Sequence, residues 1–467
     1  MTDERTGTAT DLAAIDALGP DGEYRTRRRE VIFSTAGAAV AELSLVPPLY
    51  VSRTLAAQRK VAPLPVEQRA AALSQAAGIF ADGVVAGLDF EAYVRLASRI
   101  SGLPIAVTRA GARSVADAVS GAFDAVGPAR PVGAALDRRE ECARRGGAVW
   151  VRRGEVFAVH AAGNGPGVHG LWPQALALGY RVAVRPSRRE PLTAHRLVTA
   201  LRRAGFRPED AVYLPTDHAG ADEIIRSADL AMVYGGQQVV DKYAEDPAVI
   251  VNGPGRSKIL ITADHDWRDH VDVIVDSIAN LGGMACVNTT AVLYQGDPGP
   301  LARAIARRLA AIEPLPTDDE RALLPTQPLD QARALADYLA AKASGSTPLL
   351  GADQVVADLG DGYAALRPAV HLLPAPAADA LNVELPFPCV WVSPWSPGAG
   401  VDPLRHSLVV TAMTDDERLI DDLLAEPTIA NVYAGPHPTW HAAPGIPHDG
   451  FLADALMRNK GFIQYGG

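Results

Sequence analysis

Cysteine is scarce in this chain. Cys142, Cys286 and Cys389 are the only three among 467 residues, widely spaced and without a CxxC pair. That excludes a disulfide framework and a zinc ribbon, gives no reason to expect a metal site, and fits a reducing cytoplasm in which a thiol stays available for chemistry. Long apolar runs are missing too: no stretch approaches the roughly 18 uninterrupted apolar residues of a membrane span. The start, Met1 to Gly7, is polar and mixed in charge, unlike the basic and then apolar pattern of a secretory signal. Aromatics make up only 6%, and a basic excess is absent, the formal net charge being -10. Nucleic acid is therefore disfavoured as a partner, since phosphate neutralisation needs a basic face. What remains is 48% apolar and 21% charged, the make-up of a soluble globular protein on a chain long enough for two or three packed units.

Residues 1–60 mix polar stretches with short apolar ones such as Ala38 to Leu45 and form an unassigned N-terminal extension. From Val66 to Gly127 apolar residues recur at three and four spacing, which predicts helices over Glu67 to Phe80 and Phe90 to Ile100. At Ala148 the period changes. Strand-like Ala148 to Arg152, Glu155 to His160, Arg181 to Arg185, Ala211 to Leu214 and Leu230 to Tyr234 alternate with helical segments near Leu171, Thr193 and Ala221. That is the signature of a parallel α/β sheet. A second series follows, with Lys258 to Thr262, one long helix from about Trp267 to Leu281, Thr290 to Tyr294 and a helix over Pro300 to Ile312. The Pro-rich stretches after Glu313 and Leu373 read as loops.

Between the strand ending at His160 and the next helix, Gly165, Gly167 and Gly170 match GxGxxG. The acidic residue that should follow about 20 positions on, to hold ribose hydroxyls, is absent; Arg185, Arg188 and Arg189 stand there. Asn164 inside the loop has two readings. Its amide can donate to a developing oxyanion, or it can cap a turn. Cys286, set among small residues in Leu281-Gly-Gly-Met-Ala-Cys286-Val-Asn-Thr-Thr290, fits a nucleophile or a buried thiol.

Taken in order, Asn164-Gly-Pro166, Arg185-Pro186-Ser187-Arg188, Tyr234-Gly235-Gly236-Gln237, Asn252-Gly-Pro-Gly255, Cys286 and Glu384-Leu-Pro-Phe387-Pro388 resemble the aldehyde dehydrogenase superfamily. Upstream, Ala97 to Pro104 is similar to a further region of that family, so the resemblance covers about residues 65–467. It implies an α/β fold with two doubly wound parallel-sheet domains and a small β-ribbon oligomerisation arm. Residues 61–255 would bind nucleotide, with part of the ribbon near 130–155. Residues 256–415 would form the catalytic domain, and 416–467 would return to the first domain and end in the arm. By position, Cys286 would be the nucleophile, and Asn164 with the Cys286 backbone N–H the oxyanion hole. Arg185, Ser187 and Arg188 would meet the adenosine ribose, Gly235 and Gly236 the pyrophosphate, and Glu384 the nicotinamide ribose.

Two departures narrow these expectations. Asn252 occupies the place of the Glu that activates water in aldehyde-oxidising members, so an acyl group on Cys286 lacks an obvious base for hydrolysis. The sequence thus looks most like the acyl-CoA reductase branch, including LuxC-type fatty acid reductases. There an acyl thioester on CoA or a carrier protein would be reduced to an aldehyde. Arg188 replaces a ribose-binding Glu, and a guanidinium suits a phosphate, so NADPH is expected, with NADH also admitted. The alternatives are oxidation of an aldehyde to an acid, or a nucleotide-independent cysteine acyltransferase or thioesterase with His160 or His169 as base. Pairing of Ala148 to Arg152 with Lys460 to Tyr465 would make a homodimer or homotetramer.

Overall fold

Five strands of the first αβ series lie side by side in parallel, as their period requires. The sheet runs Val249–Asn252, Leu230–Tyr234, Val156–His160, Arg181–Arg185, Ala211–Tyr213. Val156 to Val159 and Val182 to Val184 are buried throughout, because helices cover both faces. Leu192–Arg203 is one of these, and Val66–Asp82 packs on it in turn. The computed structural model describes residues 12–443 and 445–464. Met1 to Gly7, and Tyr465 of the expected arm, lie outside the described residues.

The N-terminal segment is part of this domain. Ala17–Gly19 and Gly22–Tyr24 form a hairpin that extends the parallel sheet antiparallel beyond Ala211–Tyr213, with Leu18 opposite Tyr213. Ala13–Ile15, Ala39–Ser44 and Arg29–Phe33 make a separate three-stranded sheet, and helix Pro48–Gln58 packs on His218–Ser227. Strands of three to six residues are too short to show a clear alternation, which is why the sequence left them unassigned.

The second sheet runs Thr347–Leu350, Ala369–Leu372, Cys389–Pro394, Thr289–Tyr294, Ser257–Ile261, Ser407–Met413, Ile429–Ala434. All neighbours are parallel except the first pair. It therefore continues to Ala434, past residue 415. The segment expected as one helix from Trp267 to Leu281 is broken: a turn at Trp267–His270 leads into helix Val271–Ala279, and the chain then unwinds at Asn280–Gly283. Gly147–Arg152 and Met457–Phe462 pair antiparallel as an isolated two-stranded ribbon. Among the described residues no helix is long and apolar enough to cross a membrane.

Ile15, Leu18, Ile32 and Leu43 are all buried in the core of the first domain. Ile15→Ala is therefore expected to lower unfolding free energy by about 2–5 kcal/mol in chemical denaturation. A loss below about 0.5 kcal/mol would mean the N-terminal strands are only draped on the domain.

Candidate active site

Cys286 lies in a turn that the chain reaches by an unusual backbone path. Leu281, Gly282 and Gly283 have φ of 55°, 71° and 64°, three left-handed residues in succession. For Leu281 this conformation costs about 1–2 kcal/mol. Gly283 has no alternative there, since a Cβ would also come within 2.4 Å of the Pro388 nitrogen. The turn is then pinned by buried Asn288, which accepts from the Ala285 N–H at 2.9 Å and donates to the Ser277 and Asn280 carbonyls at 3.2 and 2.8 Å. From the neighbouring strand of the same sheet, Ser257 Oγ donates to the Cys286 carbonyl at 3.1 Å. A Cβ on Gly255 would sit 1.8 Å from that same carbonyl oxygen. The result is a half-buried thiol at the amino end of strand Thr289–Tyr294. Cys142 is exposed, and Cys389 is buried in a strand where desolvation pushes its thiol up to about 12.

Asn164 closes the site from the first domain. Its Nδ2 donates to the Met284 carbonyl at 3.1 Å, which fastens the glycine loop to the cysteine turn. A primary amide has two N–H donors, so one remains for an oxyanion. The loop itself forms only the short turn Pro166–His169, so GxGxxG does not open a dinucleotide-binding helix.

A residue that the sequence did not point to completes the junction. His448 Nε2 is 3.3 Å from Cys286 Sγ, across 162 positions of sequence. His448 Nδ1 is 3.2 Å from Asp449 Oδ1, close enough for an ion pair but without a well-aligned hydrogen bond. The loop is tethered where Asn431, buried in strand Ile429–Ala434, donates to both the His448 and Leu408 carbonyls. Burial works against a charge on His448, yet the Asp449 carboxylate and the Cys286 sulfur outweigh it and push the imidazole up to about 10. An adjacent His-Asp pair is the only trace of this in the sequence. His160 and His169, the bases expected for an acyltransferase, are elsewhere. His169 is fully buried, receives the Trp172 indole N–H on Nδ1, and is pushed by burial down to about 3. His160 is likewise lowered to about 3, by burial and then by Arg185.

The remaining expected residues line the carboxyl ends of the first sheet, where open α/β sheets bind ligands. Arg185 ends its strand opposite His160 and keeps a buried Nε without a partner. Ser187 Oγ accepts from the Arg189 N–H at 3.2 Å, and a Cβ on Gly163 would lie 2.3 Å from it. Arg188 is not a free guanidinium: its Nε is 3.1 Å from Glu30 Oε2 of the N-terminal sheet. Gly235 leaves no room for a side chain, since a Cβ would meet Val239 at 2.4 Å, whereas Gly236 faces open space. Glu384 lies across the junction and accepts from the Arg256 N–H at 2.8 Å. Arg256 is itself left-handed, with φ 49°, and reaches Gln237 at 2.9 Å. Asn252 is buried with an unpartnered Nδ2. The orphaned Arg185 Nε and the open backbone at Gly236 fit a dinucleotide laid across this edge.

Two consequences can be measured. Gly255→Ala must displace a backbone carbonyl, so the rate of Cys286 alkylation by iodoacetamide should change by at least about tenfold, with a lowered Tm; an unchanged rate would mean the contact does not set the turn. His448 is raised above its unfolded value near 6.5, so its stabilising contribution is complete below about pH 6.5 and is lost as pH rises through about 10. The Tm difference between wild type and His448→Gln should therefore shrink between pH 6.5 and 10, and a difference that grows would reverse the sign.

A comparison with known proteins agrees with this arrangement. No curated protein matches the sequence at a significant level. Solved structures do match in fold. An indole-3-acetaldehyde dehydrogenase in complex with NAD+ aligns over 96% of this chain and 95% of its own, with TM-score 0.81 and 16% identity. The aldehyde dehydrogenase KauB from Pseudomonas aeruginosa aligns over 96% and 95%, with TM-score 0.81 and 15% identity. For 1-pyrroline-5-carboxylate dehydrogenase from Thermus thermophilus the values are 96% and 92%, TM-score 0.80 and 15% identity. None of these three is named as an acyl-CoA reductase. The family model described as "Aldehyde dehydrogenase family" matches residues 49–396. With that match spanning most of the chain, and the thiol, amide and glycine edge assembled at one junction, the protein belongs to the aldehyde dehydrogenase family.

Proposed function

We propose that the protein oxidises an aldehyde to a carboxylic acid with a nicotinamide cofactor, through an acyl group carried on Cys286. The observation that carries this reading is the 3.1 Å hydrogen bond from Asn164 to the Met284 carbonyl, because it holds the dinucleotide edge of one domain against the thiol of the other. Sγ of Cys286, as thiolate, attacks the aldehyde carbon and forms a C–S bond. The free Asn164 N–H and the Cys286 backbone N–H stabilise the alkoxide that results. When bound, the oxidised nicotinamide supplies the hydride acceptor that converts this adduct to a thioester. Arg185, Ser187 and Arg188 would hold the adenosine end, Gly235 and Gly236 would admit the pyrophosphate, and Glu384 would orient the nicotinamide ribose. Glu30 already neutralises Arg188, which weakens the argument for NADPH from that arginine and leaves NAD and NADP both compatible with the site.

One observation favours a second reading. Asn252 places no carboxylate where family members that oxidise aldehydes hold their base, and this suits reduction of an acyl-CoA or acyl-carrier-protein thioester instead. The two separate cleanly. With aldehyde and NAD+ or NADP+ but no thiol, the first reading expects acid and reduced nicotinamide in equal amounts, and Cys286→Ala lowers the rate about 10⁴-fold or more. Turnover that appears only on adding CoA, or oxidation of NADPH by acyl-CoA, would establish the second reading in its place. The isolated two-stranded ribbon of Gly147–Arg152 and Met457–Phe462 supports a homodimer or homotetramer. Light scattering would give a multiple of the 49.1 kDa chain mass, and a strict monomer would contradict it.

A further inference from the structure

We infer that His448, held by Asp449, is the base that directs water at the acyl group on Cys286, in the role left vacant by Asn252. This deepens the proposed function and rests on it for the identity of the acyl group. The argument begins with geometry. An imidazole nitrogen 3.3 Å from Sγ is in direct contact with the reacting atom. The carboxylate 3.2 Å from the opposite nitrogen favours the protonated form of the ring. The main chain that carries the ring is fastened by Asn431, a buried residue of the second sheet, so its position is set by the fold and not by a free loop. The ring is about one-third exposed, with side-chain exposure of 34%, so water and protons reach it from solvent.

Two roles follow at the two stages of the reaction. In the resting enzyme the imidazolium faces the thiolate as an ion pair, which keeps the sulfur nucleophilic. Once Sγ is acylated the anion is gone, the imidazolium loses the partner that held its proton, and it releases that proton to solvent. Neutral Nε2 then takes a proton from water as the hydroxide oxygen bonds to the thioester carbon. The oxyanion that forms is held by Asn164. Its collapse breaks the C–S bond, the electron pair returns to Sγ, and the carboxylic acid leaves opposite a restored thiolate and imidazolium. No oxidant or further co-reactant is needed in this step. The titratable groups facing this pair are the Asp449 carboxylate and the Tyr234 hydroxyl, the latter driven upward by burial and kept neutral. Asp449 does not touch the sulfur and acts as a positioning residue.

The test uses the full-length protein and two readouts. First, stopped-flow mixing with aldehyde and NAD+ should give, in His448→Gln, a burst of about one reduced nicotinamide per subunit and then turnover about 10²–10³-fold slower than wild type. Cysteamine should restore that turnover, because a thiol can accept the acyl group without the base. Intact-mass measurement should find the acyl adduct accumulating on Cys286. Second, and with no cofactor present, the pH profile of Cys286 alkylation should shift in His448→Gln, and partly in Asp449→Asn, with Asp449→Glu restoring it. Deacylation within about twofold of wild type in folded His448→Gln and His448→Ala would overturn the assignment, as would an unmoved alkylation profile. If wild type oxidises no aldehyde at all, the functional reading fails instead, while the alkylation profile still decides whether His448 pairs with the thiol.

Discussion

The Cys286 carbonyl oxygen occupies the space that any side chain on residue 255 would need, and the rest of the site depends on that contact. Close approach of two backbones brings an inner strand of the second sheet, Ser257–Ile261, under the cysteine turn, and Ser257 then hydrogen-bonds the same carbonyl. The left-handed stretch Leu281 to Gly283 is the other half of the constraint. It follows the end of helix Val271–Ala279 and lies on the path that leads the chain through the thiol into strand Thr289–Tyr294. Strain of this kind persists only when its surroundings over-determine it, and Asn288 with three hydrogen bonds supplies that support.

Function follows from where this turn is placed. It meets the carboxyl edge of a parallel sheet, where Gly236 leaves open backbone and Arg185 an unpartnered donor that fit a dinucleotide. It also meets a third element, the loop carrying His448, which arrives after the second sheet is complete. Three distant parts of the chain thus bring an amide, a thiol and an imidazole to one point. The absence of a carboxylate at Asn252 and the presence of an imidazole at Cys286 are then complementary features of a single site, and in the role proposed for His448 the base comes from a different direction.

Much of this was legible in the amino-acid order. The change of period at Ala148 gave the parallel sheet, and the order of short motifs from Asn164 to Glu384 gave the family, because each motif is local and keeps its spacing. The remainder is non-local. The hairpin Ala17–Gly19 and Gly22–Tyr24 joins its sheet through strands too short to carry a pattern. Arg188, read as a free cation suited to a phosphate, is paired with Glu30 from that same unassigned region. The branch assignment to acyl-CoA reductases rested on one missing carboxylate, and could not take account of a histidine 162 positions away. His160 and His169 flanked the right loop in sequence, yet burial leaves both neutral and away from the thiol.

The central claim is that acyl transfer runs through Cys286 and ends in hydrolysis at that same sulfur. Intact-protein mass spectrometry on samples quenched during a single turnover, with aldehyde and NAD+ and no added thiol, tests it most directly. The account predicts a transient mass increase equal to the acyl group, mapped by peptide analysis to Cys286 and decaying at the rate of acid formation. An adduct on Cys142 or Cys389, or acid formed with no adduct at a rate unaffected by Cys286→Ala, would contradict it.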